Sequence, residues 1–208
     1  MTTQDKDYSQ AEKRLQAGID AYNDGKLDAA AEAFSDAEVR FRLLGNYKRA
    51  ADSRAMLADV QRENGSLEQA AISYQRALKL YRDAGHPLSE AGMALSLGHI
   101  ERQRAHLDRA QQAYENAQRI YASEQNAQGQ GNVALALGHI DLQRGRTEPA
   151  IEQYDRAISY FVTAKDTINE ADARRSRADV ERLERHFDSA LADYQRVLEV
   201  YQSSRDNY

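Results

Sequence analysis

The side chains best suited to chemistry in this sequence are two histidines in almost identical surroundings. His99 and His139 lie 40 residues apart, and the seven-residue segments around them differ at one position. Asp59 precedes His99 by 40 residues, and Asp179 follows His139 by 40 residues. Imidazole and carboxylate groups bind metals, and imidazole also changes charge near neutral pH. No i, i+4 pair of ligands accompanies these residues, so a polar lining is our main interpretation; a metal bridge and a pH-sensitive surface are the alternatives.

Catalytic chemistry has little support in the rest of the sequence. The chain has no cysteine, which excludes disulfides, zinc–thiolate sites and thiol nucleophiles. It also has no glycine-rich phosphate loop, no G-x-S-x-G and no H-E-x-x-H, and its carboxylates are spread as on helix surfaces. We therefore predict no catalytic residue, no cofactor and no bound metal.

The overall composition excludes two further classes of partner. Charged residues make up 29% of the 208 residues, yet the formal net charge is −5, whereas nucleic-acid binding normally needs a clustered excess of Lys and Arg. The polar start of the chain resembles no secretory signal, and no apolar stretch approaches the length of a membrane span. The sequence predicts a cytoplasmic protein that binds neither nucleic acid nor membrane.

The elements that position the two histidines follow a repeat of 40 residues without insertions. The units are 11–50, 51–90, 91–130, 131–170 and 171–208. Counting from the start of each unit, position 20 is always alanine, and positions 24 and 31 are always aromatic. The aromatic residues are Phe34, Tyr74, Tyr114, Tyr154 and Tyr194, then Phe41, Tyr81, Tyr121, Phe161 and Tyr201. This spacing places small and large residues on one helix face, which is typical of a packed core rather than of base stacking.

Each unit is predicted to form two helices joined by a short polar turn. Turns such as 24–26, 64–66 and 144–146 contain glycine, and an acidic residue follows in the first turn of the second helix. Ser9 and Glu12 fit the S-x-x-E capping box. We therefore expect a flexible segment over 1–8 and one helical domain over 9–208.

These positions resemble the tetratricopeptide repeat (TPR), with Leu at position 7, Gly or Ala at 8, Ala at 20 and an aromatic residue at 24. Leu57, Leu97 and Leu137 fill position 7 of the three central units. The resemblance covers residues 11–208 and implies an all-α fold, a right-handed α-solenoid of five antiparallel helix pairs with about ten helices. The unit of 40 residues exceeds the usual TPR length, so each helix pair is expected to be longer.

The resemblance also implies that the first helices line a concave groove that binds a protein or peptide, with acidic groups of the partner facing arginines. A solvated helix surface is the alternative. The chaperone-tail clamp of the family is missing, because no unit has Lys at position 5 with Asn at position 9. The predicted groove residues are Asp59, Arg62, Leu95, His99, Arg102, Gln103, Leu135, His139, Gln143, Asp179 and Arg182.

A second hypothesis assigns the chain to self-association, as a structural scaffold that forms a homo-oligomer. The final helix carries an apolar stripe that we expect to lie uncovered, formed by Leu191, Val197, Leu198 and Tyr201. The fifth unit departs from the repeat at Arg177, which occupies position 7, where the three central units have leucine. An unpaired buried arginine is unfavourable, so we expect this end to be splayed or Arg177 to pair with Glu181 at i+4.

Overall fold

A computed structural model describes residues 3–205, and this part of the chain contains ten α-helices and no strand. The predicted all-α class is confirmed. Residues 1–2 of the predicted flexible segment and 206–208 of the fifth unit lie outside the described residues. The helices are α1 (Thr3–Asn23), α2 (Leu27–Leu43), α3 (Tyr47–Glu63), α4 (Leu67–Asp83), α5 (Pro87–Gln103), α6 (Leu107–Ser123), α7 (Ala127–Gln143), α8 (Thr147–Ala164), α9 (Thr167–Leu183) and α10 (Phe187–Arg205).

The turns between helices share one geometry, and this geometry sets the period. One residue of each turn has a positive φ, for example 80° at Gly65 and 61° at Ala105. The next N–H donates to the carbonyl five residues back, over 2.8 Å from Ser66 to Gln61. This is the Schellman arrangement that ends helices. Two helices of 17 residues and two turns of three residues account for the 40-residue unit.

The first helices α3, α5, α7 and α9 begin four residues before the predicted unit boundaries, and α1 begins eight residues before its boundary. Asn46, Asn126 and Asp166 accept a backbone N–H from the third residue after them, as N-cap side chains do. Burial, which alone would raise the pKa of Asp166, is outweighed by hydrogen bonds from Asn169 and Gln128, so the net shift is downward. The extra length over a usual TPR unit therefore includes a capped turn at the start of each of these helices.

The predicted helix start at Ser9 is wrong, because α1 already begins at Thr3. Ser9 and Glu12 lie inside the helix. Tyr8 packs edge-on against Phe41, with ring centroids 5.8 Å apart, and Glu12 accepts a hydrogen bond of 2.9 Å from Arg49. These tertiary contacts stabilise the first turns of α1, which therefore begins before the start that the capping pattern at Ser9 predicted.

The chain divides into two compact units between Ala113 and Tyr114, a point within α6. We call residues 3–113 the N-unit and residues 114–205 the C-unit. In the N-unit each of α1 to α4 packs on the next helix, and in the C-unit each of α7 to α9 does so. Whether 9–208 behaves as one domain stays a prediction.

The aromatic ladders pack in the core of each unit, as their spacing predicted. Phe34, Phe41 and Tyr74 are buried in the N-unit, and Tyr154 and Phe161 are buried in the C-unit. Small residues make room for the rings. The Phe34 ring covers Gly18, and a Cβ at that glycine would lie 2.6 Å from it.

Arg177 of the fifth unit is paired, but not with the predicted acid. Its Nε and Nη2 donate to the two carboxylate oxygens of Asp193 on α10, over 2.7 and 2.8 Å, and its Nη1 donates to Asp155 on α8. Burial alone would lower the pKa of Arg177, but hydrogen bonds to these acids raise it above its ordinary value. Glu181 instead accepts from Ser189. The i+4 rule missed Asp193 because it considers a single helix.

Candidate binding surface

Tyrosine hydroxyls at position 24 bond to the residue at position 9 of the same helix pair. Tyr74 donates to Asp59 over 2.5 Å, and Tyr194 donates to Asp179 over 2.7 Å. Tyr154 Oη lies 3.0 Å from Nδ1 of His139, with the rings edge-to-face at 5.5 Å. We call each of these tyrosine pairs a rung. Each rung joins a first helix to the second helix that follows it.

The rungs differ in a way that repeats along the sequence. Units two and five combine alanine at position 8 with aspartate at position 9, whereas units three and four combine glycine with histidine. In unit four the Tyr154 ring lies over Gly138, where a Cβ would be 2.5 Å from it. Unit one has Ile19 and Phe34, so the pair is apolar on both sides. The residues at positions 8 and 9 therefore vary together from one unit to another.

Three of the predicted groove residues are thus already engaged within their own helix pair. Asp59, His139 and Asp179 contact tyrosine hydroxyls, which gives them a structural role in addition to the predicted one. His99 is exposed. Within residues 3–205 no group of three or more His, Asp and Glu side chains is placed to hold a metal ion, so the described residues lend no support to the metal alternative.

A second set of tyrosines bonds to the start of the first helices. Tyr81 donates to Asp52 over 2.8 Å, and Tyr201 donates to Asp172 over 2.6 Å. Burial, followed by the hydrogen bond to Asp52, raises the pKa of the Tyr81 hydroxyl. These contacts help to fix the orientation of α3 on α4 and of α9 on α10, and so position the surfaces that these two first helices expose.

The predicted arginines are the cations of this surface. Arg62 is exposed in the N-unit, and Nη2 lies 3.8 Å from Asp59 Oδ1, too far for a hydrogen bond. Among the described residues, Nε of Arg102 is buried and has no hydrogen-bond partner. Arg182 is exposed in the C-unit. A buried N–H donor without a partner is unfavourable, so Arg102 suits an incoming acceptor.

The remaining predicted groove residues are the apolar and amide positions. In the N-unit Leu95 is half-buried and Gln103 is exposed; in the C-unit Leu135 is half-buried and Gln143 is exposed. Leu135 packs against the core residues of α8. Each unit therefore presents its own first-helix surface, with a partly accessible leucine and an exposed glutamine.

A cleft of 370 Å³ opens on the first helices of the N-unit. Residues of α1 and α3 form most of it, with one ring from α2: Ile19, Tyr22, Phe34, Met56, Asp59 and Arg62. Its apolar lining comes from Ile19, Phe34 and Met56, and its rim carries the Arg62 guanidinium and the Tyr22 hydroxyl. Tyr22 donates to Glu63 over 2.7 Å, which links α1 to α3 beside the cleft.

The predicted site contains Asp59 and Arg62 of this cleft and omits its other residues. Ile19 and Tyr22 occupy positions 9 and 12 of unit one, the positions of Asp59 and Arg62 in unit two. The alignment of the repeat units therefore indicates that Ile19 and Tyr22 belong to the same surface as Asp59 and Arg62. Met56 gave no such signal, because its position is not among those that the family uses to line a groove.

The stripe predicted on α10 separates into two faces in the C-unit. Val197 is buried with Ala171 and Val200, and Tyr201 packs against this cluster. Leu191 and Leu198 are each 56% exposed. The accessible part of the stripe is therefore Leu191 and Leu198.

Comparisons with known proteins identify the architecture. Residues 2–208 match the family model described as the MalT-like TPR region. No curated protein matches the sequence. Within residues 3–205 no helix is long and apolar enough to span a membrane.

Solved structures of similar fold share little sequence with this chain. The apo form of RapI has a TM-score of 0.84 and 14% identity over 95% of this chain and 72% of its own. A putative kinesin light chain from Podosopora anserina, with nearly identical TPR-like repeats, has a TM-score of 0.71 and 11% identity over 94% and 97%. The Rap conjugation gene regulator of plasmid pLS20, solved with a Phr peptide, has a TM-score of 0.70 and 16% identity over 93% and 53%. These likenesses show a TPR-like helical solenoid.

Proposed function

Because the chain belongs to the MalT-like TPR region family, we propose that it is a protein-interaction module that binds a peptide or protein segment on its first helices. One structural neighbour, the Rap regulator of pLS20, is described in complex with a peptide. The proposed role is binding alone, without chemistry on the partner. The observation that carries it is the cleft between α1 and α3.

The lining of this cleft defines the ligand that it would accept. Its volume of 370 Å³ falls within the range of small ligand pockets and suits one or two side chains. Ile19, Phe34 and Met56 favour an apolar side chain, and Arg62 at the rim favours a carboxylate close to it in the ligand. The predicted partner is therefore a linear segment with an apolar anchor next to an acidic residue.

Arg102 supports an acidic ligand from a different position. It shares repeat position 12 with Arg62, and the two residues lie near the ends of neighbouring first helices, α5 and α3. An acceptor at its buried Nε would remove the cost of an unsatisfied donor. A segment that lies along the N-unit would thus meet two arginines.

A displayed library of random linear peptides, selected against the full chain, tests this proposal. We expect enriched sequences to combine an apolar residue with an acidic one. The Arg62→Glu variant should bind them at least about tenfold more weakly. Lys79→Glu is the matched control, because Lys79 is an exposed cation on the second helix α4 of the same unit. Equal binding by both variants, or no enrichment, would refute the proposal.

Self-association through α10 is a second candidate, favoured by the exposure of Leu191 and Leu198. Ile158 occupies the position of Leu198 one unit earlier and is 8% exposed. Position 28 of a second helix is thus suited to burial beneath another helix. The proposed occupant in the C-unit is α10 of a second copy, which would contribute the same two leucines by two-fold symmetry.

Sedimentation equilibrium of the full chain tests this second candidate. The Leu198→Glu variant should dissociate a dimer, whereas Gln195→Glu, an exposed change on the same helix, should leave it intact. A monomeric wild-type chain across the accessible concentrations would exclude self-association. That result would not affect the peptide proposal, which concerns the N-unit.

A further inference from the structure

The N-unit contains a buried carboxylate surrounded by three arginines. Glu38 on α2 is 1% exposed. Its Oε1 lies 2.9 Å from Nη2 of Arg76 on α4 and 3.4 Å from Nε of Arg42, and its Oε2 lies 3.9 Å from Nη1 of Arg54 on α3. We call these four residues the Glu38 cluster. One negative charge faces three positive charges, so the cluster has two positive charges in excess.

The hydrogen-bonding capacity of the cluster is also unfilled. The distance of 3.9 Å between Arg54 and Glu38 is too long for a hydrogen bond. Among the described residues, Nε of Arg54 is buried and has no partner. Burial, and then the charge of Arg76, lower the pKa of the Arg54 guanidinium. Arg54 therefore lies in a site with too little negative charge and too few acceptors.

The repeat shows that the fold does not need this cluster. Glu38 occupies position 28, which holds Leu78, Gln118, Ile158 and Leu198 in the other units. Replacing buried charges by apolar residues usually keeps or improves stability, so a lone buried glutamate among arginines is a poor stabilising device. Departures of this kind from the local pattern are typical of functional sites.

We propose that the Glu38 cluster is a binding site for a phosphate group, either free or carried on a phosphorylated side chain. A phosphate monoester carries about two negative charges at neutral pH and accepts hydrogen bonds at three oxygens, which matches the excess charge and the spare guanidinium donors. The side chains of Arg42 and Arg76 are 46% and 40% exposed, so solvent reaches the cluster. Arg54 supplies the innermost donor, and Glu38 holds the arginines together when the site is empty.

This site is independent of the proposed peptide surface. Three of its members lie on α2 and α4, the second helices, and Arg54 is not among the residues of the cleft. Failure of the peptide experiment would leave the phosphate site untouched, and failure of the phosphate experiment would leave the cleft untouched.

Calorimetric titration of the full chain with inorganic phosphate, at constant ionic strength, is the test. We expect saturable binding that Arg54→Gln and Arg76→Gln each weaken by at least about tenfold. Arg76→Gln, at a more exposed position, keeps the test valid if Arg54→Gln does not fold. Arg196→Gln is the matched control, since Arg196 holds the same repeat position as Arg76 in unit five, and it should bind phosphate as the wild type does.

The Glu38→Gln variant distinguishes a phosphate-binding site from a purely structural cluster. Glu38 competes with the anion for the arginines, so its neutralisation should tighten phosphate binding by about tenfold. Phosphate should then raise the unfolding temperature of this variant more than that of the wild type. Equal binding by the wild type and both Arg→Gln variants would overturn the assignment. So would an effect of acetate equal to that of phosphate.

O-phosphoserine separates the two sources of the phosphate group. Binding at least as tight as that of inorganic phosphate would indicate a phosphorylated side chain, because the ester oxygen is then tolerated. Binding of inorganic phosphate alone would indicate the free anion. If neither probe bound, the proposal would be wrong.

Discussion

The two units of the chain use arginine at the same repeat position in opposite ways. Arg54 in the N-unit and Arg174 in the C-unit both occupy position 4 of a first helix. Arg54 shares one carboxylate, Glu38, with two other arginines. Arg174 donates to Glu170 and to Asp193, and Arg177 beside it donates to Asp193 and Asp155. Three arginines face one acid in the first case, and two arginines face three acids in the second.

This difference distinguishes the structural arginine network of the C-unit from the proposed phosphate site of the N-unit. In the C-unit every arginine of the network has a hydrogen-bonded carboxylate, and Asp193 is 3% exposed. That network is satisfied internally and has no capacity for a ligand anion. In the N-unit the charges do not balance and a buried donor is unpaired. The contrast teaches that charge balance, rather than the presence of arginine, distinguishes the two units.

The largest expected effect comes from breaking the C-unit network at Asp193. Asp193→Asn leaves Arg174 and Arg177 half-buried without their shared carboxylate, and we expect a loss of about 3 kcal/mol in the free energy of unfolding. Urea denaturation measures this loss. Asp155→Asn is the control, because Asp155 is exposed and should cost less than about 1 kcal/mol. Comparable losses for the two variants would mean that Asp193 is not the centre of the network.

The rungs offer the next contrast between the units. Gly138→Ala should destabilise the C-unit by about 2 kcal/mol, since its Cβ would clash with the Tyr154 ring at 2.5 Å. Adding His139→Asp recreates the alanine–aspartate pair of the N-unit, Ala58 and Asp59, and should recover about half of the loss. A double-mutant cycle measures this coupling. Strictly additive losses would show that no physical coupling exists between positions 138 and 139.

Removal of a rung hydroxyl has a smaller effect, and it depends on pH. Tyr74→Phe should cost about 1.5 kcal/mol at neutral pH, through the lost hydrogen bond to the Asp59 carboxylate. Burial, followed by that hydrogen bond, raises the pKa of Tyr74 above 10.0. The stability that the Tyr74 hydroxyl contributes is therefore complete below pH 10.0. It is lost as the pH rises through the pKa of Tyr74 in the folded state.

Urea denaturation at neutral pH and at several values above 10.0 checks this dependence. The wild-type chain should lose stability in the alkaline range more steeply than Tyr74→Phe. Tyr194→Phe in the C-unit should change the slope less, because the Tyr194 hydroxyl is more exposed. An unchanged slope for Tyr74→Phe would rule out this coupling.

The smallest expected effect belongs to a replacement of the Glu38 cluster. Glu38→Leu with Arg54→Ala reproduces Leu78 and Ala94, the residues at the same positions one unit later. We expect unfolding free energy within about 1 kcal/mol of the wild type, because an apolar pair replaces a buried charge. Thermal denaturation measures stability, and phosphate should no longer shift it. A large loss would mean that the cluster is as structural as the Asp193 network.

The repeated elements are predictable from the sequence, because every unit carries the same pattern of residues. The period of 40 residues, the helix pairs, the glycine turns and the buried aromatic ladders all follow from spacing and side-chain size. The helix start at Ser9 was predicted wrongly because a local capping pattern does not show that Tyr8 packs on Phe41. Long-range contacts decided that boundary.

The candidate site was predicted less completely, for a physical reason. Asp59, His139 and Asp179 were assigned to a groove, but their hydroxyl partners lie 15 residues away on another helix. Pairing at i+4 cannot show such contacts. The repeat does not point to Glu38, because it indicates the residues that all units share, whereas Glu38 differs from the residues at the same position of the other units.

The rungs also have a consequence for exchange of segments between chains. Each rung lies wholly within one helix pair, and the turn geometry on either side is the same throughout. A recombination event that moves 40 residues in register would carry the tyrosine and its partner together. A recombination event inside a helix pair would place the tyrosine from one parent sequence next to the position-9 residue from the other parent sequence. Crossovers between pairs should therefore survive more often than crossovers within them.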